Sequence, residues 1–383
     1  MLRVITLATL YPSDAEPGLG GFVEAQTVRL AARPDVELRV VSPAAVPPGP
    51  FGYAGHRGLP AREERNGVVV HRPRTGLIPN IGGVLNPWFV HRSVKPVLEG
   101  LRRDGFAFDV IDAEFFYPDG PAAARLARDF GVPFSIKARG SDIDYWGVRS
   151  DTRGQVLRAA QAADGLLAVS QALAHRMTAL GLPAPHVHYT GVDLERFHPR
   201  DREAAKAALG IDGPIVVSVG NLVPLKGHDI VIAAVASLPR VELLIAGTGP
   251  ERARLEAAVA ASGASDRIRL LGAVPHADMP GLLAAADVMA LASEREGLAN
   301  VWVEALACGT PVVAPDIGSA REVIDRPEAG RIVRRIPAAF AAAIGELLAA
   351  PTDPAATHKA ALRFGWERNT NELFEHLRKV AAR

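Results

Sequence analysis

Two carboxylates, Glu296 and Glu304, stand eight positions apart in Glu296-Gly-Leu-Ala-Asn-Val-Trp-Val-Glu304, and Ala-Leu-Ala-Cys-Gly-Thr-Pro follows at once. The apolar runs 288–293 and 311–314 on either side read as strands. The carboxylates therefore span a loop and the first turns of a helix that leaves a strand end. Such a helix end offers unpaired N–H groups and a positive dipole end to an anion. Carboxylates beside a bound phosphate would repel it. They make chemical sense holding neutral hydroxyls next to it, as on a ribose or a hexose. The pattern points to a pocket for a nucleoside diphosphate sugar.

Further motifs carry compatible chemistry. In Ser218-Val-Gly-Asn-Leu-Val-Pro-Leu-Lys-Gly-His-Asp229 a strand ends at Gly220, and Lys226-Gly227 opens a helix. A lysine is unfavourable at a helix N-terminus unless an anion is bound there, so Lys226 is expected to meet a diphosphate. In Leu244-Ile-Ala-Gly-Thr-Gly-Pro-Glu-Arg252 the third glycine of a dinucleotide fingerprint is absent, and Gly249 reads as part of a turn bordering the nucleotide pocket. The loop from Tyr11 to Gln26 carries Gly18, Gly20 and Gly21, which allow close backbone approach to a ligand. Lys137-Ala-Arg-Gly-Ser-Asp-Ile-Asp144 follows a strand at 134–138. Its Arg139 is expected to face phosphate or acceptor, and Ser141 and Asp142 an acceptor or sugar. Asp142 and Asp144 form an Asp-x-Asp, too common by chance to read as a metal site. We expect no metal. The sole cysteine, Cys308, reads as a small buried helix residue.

These motifs need a scaffold. Short β-branched runs alternate with amphipathic stretches over nearly the whole length of the 383 residues, in the first half near 3–10, 38–42, 68–72, 110–113, 134–138, 166–170 and 188–190. In the second half the runs fall near 215–220, 242–246, 268–271, 288–292, 312–314 and 331–333. Such alternation predicts parallel sheets covered by helices on both faces, and ligands at the carboxyl ends of the strands. Every motif above follows a strand. The length fits two domains. We expect an α/β protein with two doubly wound, Rossmann-like domains, 1–192 and 193–363, facing across a cleft. The tail 364–383 has apolar residues at helical spacing.

Lys and Arg number 43 against 42 Asp and Glu, so no nucleic-acid partner is expected. No uncharged run reaches the ~20 residues of a membrane span, and the opening residues read as a first strand. A cytoplasmic protein is the expectation. The stretch from Arg57 to Arg103 is rich in Arg and His and carries Trp88 and Phe89. Its simplest reading is a helix with a solvated basic face. The alternative is peripheral contact with an anionic membrane, at its inner face.

Taken together, these residues resemble the large retaining glycosyltransferase family of the GT-B fold, family 4. The resemblance rests on 219–229, on Ile245-Ala-Gly-Thr-Gly-Pro250, on the Glu296/Glu304 pair and on Gly318-Ser-Ala-Arg-Glu322. It is looser in the first half, where the opening looks most like transferases of capsular, teichuronic or exopolysaccharide assembly. It implies that Lys226 binds the donor diphosphate, Glu304 the ribose and Glu296 the donor sugar. It also implies that the N–H groups of Leu298, Ala299, Asn300 and Val301 cradle the phosphates, with Gly20 and Gly21 closing over them. The closing helix with Trp366 would cross back to the first domain, which takes the acceptor. Two residues depart from the family pattern: Asn221 stands where many members carry arginine, and Arg139 where many carry histidine. Arginine cannot serve as a base near neutral pH.

The expected reaction is transfer of a hexose from a UDP- or GDP-sugar to a glycan or lipid-linked acceptor, with retention and without a cofactor. The alternatives are a nucleotide-sugar 2-epimerase and a catalytically altered binding protein.

Overall fold

The structure is a computed structural model and describes residues 1–46, 54–76 and 83–383. The chain divides into two compact units, one formed by Met1–Gly191 with Trp366–Arg383, the other by Val192–Gly365.

The first unit contains β1 (Leu2–Leu7), β2 (Val36–Val41), β3 (Ala44–Ala45), β4 (Arg62–Arg65), β5 (Val68–His71), β6 (Arg74–Thr75), β7 (Val110–Ala113), β8 (Phe134–Ala138), β9 (Gly165–Ala168) and β10 (His186–Val187). Its main sheet runs β10-β9-β8-β7-β1-β2-β5-β4, with β3 and β6 forming a separate ribbon. All pairings are parallel except β4 with β5. Chain order reverses between β1 and β7, and a doubly wound sheet opens a crevice at such a switch point. The first strand stops pairing at Leu7, not Leu10, and the last lies at His186–Val187, before the expected 188–190.

The closing helix Trp366–Ala381 belongs to this first unit. Leu373, Phe374, Leu377 and Val380 enter the core with Val23, Leu30, Val4 and Val110. Burial of each such side chain contributes about 1.5–3 kcal/mol. Arg33 lies 4.0 Å over the Phe374 ring, and Asn369 Nδ2 donates to the Tyr189 carbonyl at 2.5 Å.

The basic stretch folds in part as the helix Asn86–Arg103, while its residues 77–82 lie outside the described ones. Val90, Val94, Leu98 and Leu101 point inward. The opposite face is less free than expected. His91 and Lys95 both meet Asp129 at 2.9 Å, and Arg102 donates to the Phe130 carbonyl. Trp88 remains exposed, with Arg92 5.4 Å over its ring. Among the described residues no helix is long and apolar enough to cross a membrane.

The second unit holds β11 (Ile215–Val219), β12 (Glu242–Ala246), β13 (Ile268–Gly272), β14 (Val288–Ala290), β15 (Val312–Pro315) and β16 (Gly330–Val333). The order is β13-β12-β11-β14-β15-β16, all parallel. Its switch point therefore lies between β11 and β14. The strands are apolar on both faces because helices cover both. Val216, Ile245, Val288 and Val313 pack with Val231 and Val235 of the helix His228–Ala236 and Phe340 and Ile344 of the helix Pro337–Ala349.

Candidate functional site

The switch point of the second sheet decides what can meet. Lys226 follows β11 and Glu296 follows β14, and these strands are neighbours. Seventy residues apart in sequence, Lys226 Nζ and Glu296 Oε1 lie 2.5 Å apart, both largely withdrawn from water. The two residues expected to serve one ligand are thus brought together, in an arrangement the sequence did not suggest. The amine is neutralised by Glu296 itself. A diphosphate has to share that amine or displace the carboxylate.

The lysine's position is fixed by local chemistry. Pro224–Lys226 forms one 3₁₀ turn, and Gly227 at φ 64° starts the helix His228–Ala236. A Cβ on Gly227 would lie 2.2 Å from the Ala292 carbonyl oxygen, so the loop after β11 packs directly on the segment after β14. Gly318 does the same for Glu296: at φ 48°, its Cβ would fall 2.2 Å from the Glu296 carbonyl oxygen. The Glu294 N–H donates to the Leu225 carbonyl at 2.8 Å, which ties the loops once more. Gly249 lies against the Leu222 carbonyl, and the Leu222 N–H donates to Thr248 O at 2.8 Å. Asn221 is exposed beside this turn.

The helix Asn300–Ala307 begins after Ala299, and no side chain caps it. Its first amide groups therefore lack intrahelical partners. Leu298, Asn300 and Val301 are part-exposed there, and Ala299 is buried. One turn in, Glu304 accepts from or faces His276 Nε2 at 3.4 Å. His276 was missed from sequence. It follows β13 in a strand-end loop, and that placement was the available signal. Among the described residues the hydroxyls of Ser293 and Ser319 are buried without a partner, one three residues before Glu296 and the other beside Gly318. Buried polar groups without partners are uncommon and mark places where a ligand or water completes the bonding.

His228 underpins this loop. Its Nδ1 lies 2.9 Å from Ser218 Oγ of β11. Burial pushes its pKa down to about 4, with the Lys226 charge acting in the same direction. The folded pKa is below the unfolded one, so the neutral ring's stability is complete above about pH 6.5 and is lost as pH falls through about 4. Over that window the loss is about 3 kcal/mol. Replacing His228 by Gln should flatten this part of the stability profile, measured by urea unfolding at a series of pH values. An unchanged difference between pH 7 and pH 4 would contradict the assignment.

In the first unit, Gly20 precedes the helix Gly21–Ala31 at φ 74°, and a Cβ there would lie 2.4 Å from the Leu10 carbonyl oxygen. Gly21 faces open space. Arg139 is not a free cation. Its guanidinium meets Glu114 and lies 3.3 Å from both Thr190 Oγ1 and Gln26 Oε1. Lys137 Nζ donates to Gln26 Oε1 at 2.7 Å and lies 3.4 Å from Glu114, completing a buried network. Glu114 is held down to about pKa 2 against its own burial by Lys137 and Arg139.

Asp142 organises the turn after β8. Its carboxylate accepts from the N–H groups of Phe116, Arg139, Gly140 and Ile143. It is buried, and it also lines the cavity beside Ser141. Asp144 pairs with Arg176 at 3.0 Å. Ser141 is exposed and lines a cavity of about 210 Å³. That cavity sits at the switch point of the first sheet, between the segments after β1 (Thr9, Leu10) and β7 (Phe115, Tyr117). Tyr117 stacks on Trp146 at 4.7 Å, and His56 meets Glu16 at 2.9 Å.

Comparison with known proteins agrees with this architecture. Residues 200–364 match the family model for Glycosyl transferases group 1, and residues 23–196 that for Glycosyltransferase Family 4. D-inositol 3-phosphate glycosyltransferases of Mycobacterium tuberculosis and Mycobacterium bovis are 38% identical over 210 residues, covering 51% of this chain and 43% of theirs. The match thus spans less than half the length of these curated relatives. Sucrose-phosphate synthase from Thermosynechococcus elongatus superposes over the full length of both chains with a TM-score of 0.80 at 21% identity. Anabaena HepE in complex with UDP superposes over 99% of this chain and 100% of its own, with a TM-score of 0.76 at 20% identity. Residues 23–196 and 200–364 thus resemble Glycosyltransferase Family 4 and Glycosyl transferases group 1 in turn, on two Rossmann-like units whose fold matches GT-B glycosyltransferase structures.

Proposed function

We propose that the chain transfers a hexose from a UDP- or GDP-sugar to a hydroxyl of a glycan or lipid-linked acceptor, with retention, as a step in cell-surface polysaccharide synthesis. The observation that carries this reading is the meeting of Lys226 and Glu296 at the switch point of the second sheet. Charge develops on the departing diphosphate, and Lys226 and the uncapped helix end at Asn300 would stabilise it without a metal. Glu296, released from the lysine, would hold sugar hydroxyls, and Glu304 the ribose. The leaving phosphate oxygen would take the acceptor's proton on the same face of the sugar. HepE has been crystallised with UDP-glucose, which supports this donor class.

The acceptor belongs to the cavity of the first unit. Its described lining contains no Lys or Arg, and its aromatic wall is Phe115, Tyr117 and Trp146. Such a wall suits the apolar face of a neutral sugar. Trp146→Ala should raise the acceptor KM roughly tenfold, the scale of an aromatic contact, with donor KM unchanged. Equal effects on both would argue against this placement.

The test is nucleoside diphosphate release from UDP- and GDP-sugars with and without glycan acceptors, followed by NMR of the anomeric linkage. Acceptor-dependent release with a retained configuration is expected. Sugar conversion without an acceptor would indicate epimerisation, and donor binding without release a binding protein.

A further inference from the structure

The amino-end side of the first sheet has different chemistry. A cavity of about 670 Å³ lies beside Phe134, which opens β8, and Asp164, which precedes β9. Its walls are the helices Asp119–Phe130 and Arg153–Ala162. This is the amino-end side of the strands, away from the cavity assigned to the acceptor.

Arg125 and Arg128, three positions apart on one helix, line it together with Arg158 from the other. Residues so spaced share a helix face. None of the three guanidinium groups has a hydrogen bond or an ion pair among the described residues, and Arg125 Nη1 is buried with no partner there. The contrast with neighbouring cations is sharp. Lys95 is matched by Asp129, and Arg102 by the Phe130 carbonyl. The acid in the lining, Asp164, is occupied, accepting from the Phe134 N–H at 3.1 Å.

Three uncompensated guanidinium groups around one concavity repel each other and concentrate positive potential there. An anion removes that cost. The guanidinium fork matches phosphate oxygens in pairs, and the concavity, open to solvent on one side, has room for a small molecule. We infer that this cavity binds a small, soluble phosphate-bearing molecule through Arg125, Arg128 and Arg158, at a second site apart from the donor and acceptor positions. Its placement at the amino ends of β8 and β9 makes the occupant an effector of the first unit, not a reactant.

The probe is inorganic pyrophosphate, titrated calorimetrically into the Lys226→Ala chain, which weakens any diphosphate binding in the second unit. Binding is expected there, and adding Arg125→Ala, Arg128→Ala and Arg158→Ala should weaken it at least about tenfold, as loss of charge-assisted bonds does. Pyrophosphate should raise the melting temperature of the Lys226→Ala chain and not that of the quadruple variant. Circular dichroism checks that the variant is folded, and the partnerless arginines should be removable without harm. Equal affinity in the two chains, or no binding to the first, would overturn the proposal. A second arm uses phosphatidylglycerol vesicles. Sedimentation with them should not depend on the three arginines, and dependence would reassign the cavity to a lipid surface.

Discussion

Replacing Lys226 by alanine should lower turnover by roughly 10²-fold or more, the scale seen when a group that stabilises developing transition-state charge is removed. The structure adds a second consequence. Lys226 is the 2.5 Å partner of Glu296, so its loss leaves a largely buried carboxylate unpaired. Breaking such a pair is more harmful than never having had it. The variant should therefore lose turnover and also some stability in the second unit. Lys226→Met keeps most of the stem's volume and removes the charge, so comparing it with alanine separates lost packing from lost charge, while the unpaired carboxylate is common to both. Steady-state kinetics and urea unfolding on both variants provide the check. Wild-type turnover in either would remove Lys226 from the mechanism.

Gly227→Ala should be nearly as harmful to activity without touching a polar group. Alanine at φ 64° costs about 1–2 kcal/mol. The added carbon also meets the Ala292 carbonyl oxygen at 2.2 Å, and backbone cannot yield there cheaply. A total of at least about 2 kcal/mol should depress the melting temperature of the second unit by roughly 5 °C. Any relief by movement shifts Lys226 away from Glu296, and a displacement of about 1 Å can cost 10²-fold in rate. Gly21→Ala is the comparison. Its Cβ would enter open space at an unstrained φ, so stability should change by less than about 0.5 kcal/mol. Equal melting temperatures for Gly227→Ala and wild type would mean that the loop is not held as described.

Strand–helix alternation was legible because buried parallel strands read as apolar runs with helical patterns between them. Their spatial order was not. Sequence placed Lys226 after one strand and Glu296 after another, but only the order β12-β11-β14-β15 makes those strands neighbours. The backbone-holding role of Asp142 was not legible for a different reason. Its partners are backbone N–H groups, which no pattern of side chains reveals. Arg139 was placed correctly at a strand end, yet its charge is answered by Glu114, 25 residues away on a neighbouring strand's end. The β4–β5 hairpin was available and overlooked. Asn66 and Gly67, at φ 49° and 77°, form the turn that such a pair favours. Its first strand, Arg62–Arg65, is wholly charged and carries no apolar alternation.

The most direct test compares nucleoside mono- and diphosphates. Calorimetric Kd values for UMP, UDP, GMP and GDP on wild type and Lys226→Ala isolate what the lysine contributes to the distal phosphate. For whichever base binds, the substitution should weaken the diphosphate at least about tenfold, as loss of a charge-assisted contact does, and leave the monophosphate nearly unchanged. Equal weakening of both, or of neither, would show that this amine does not face the diphosphate.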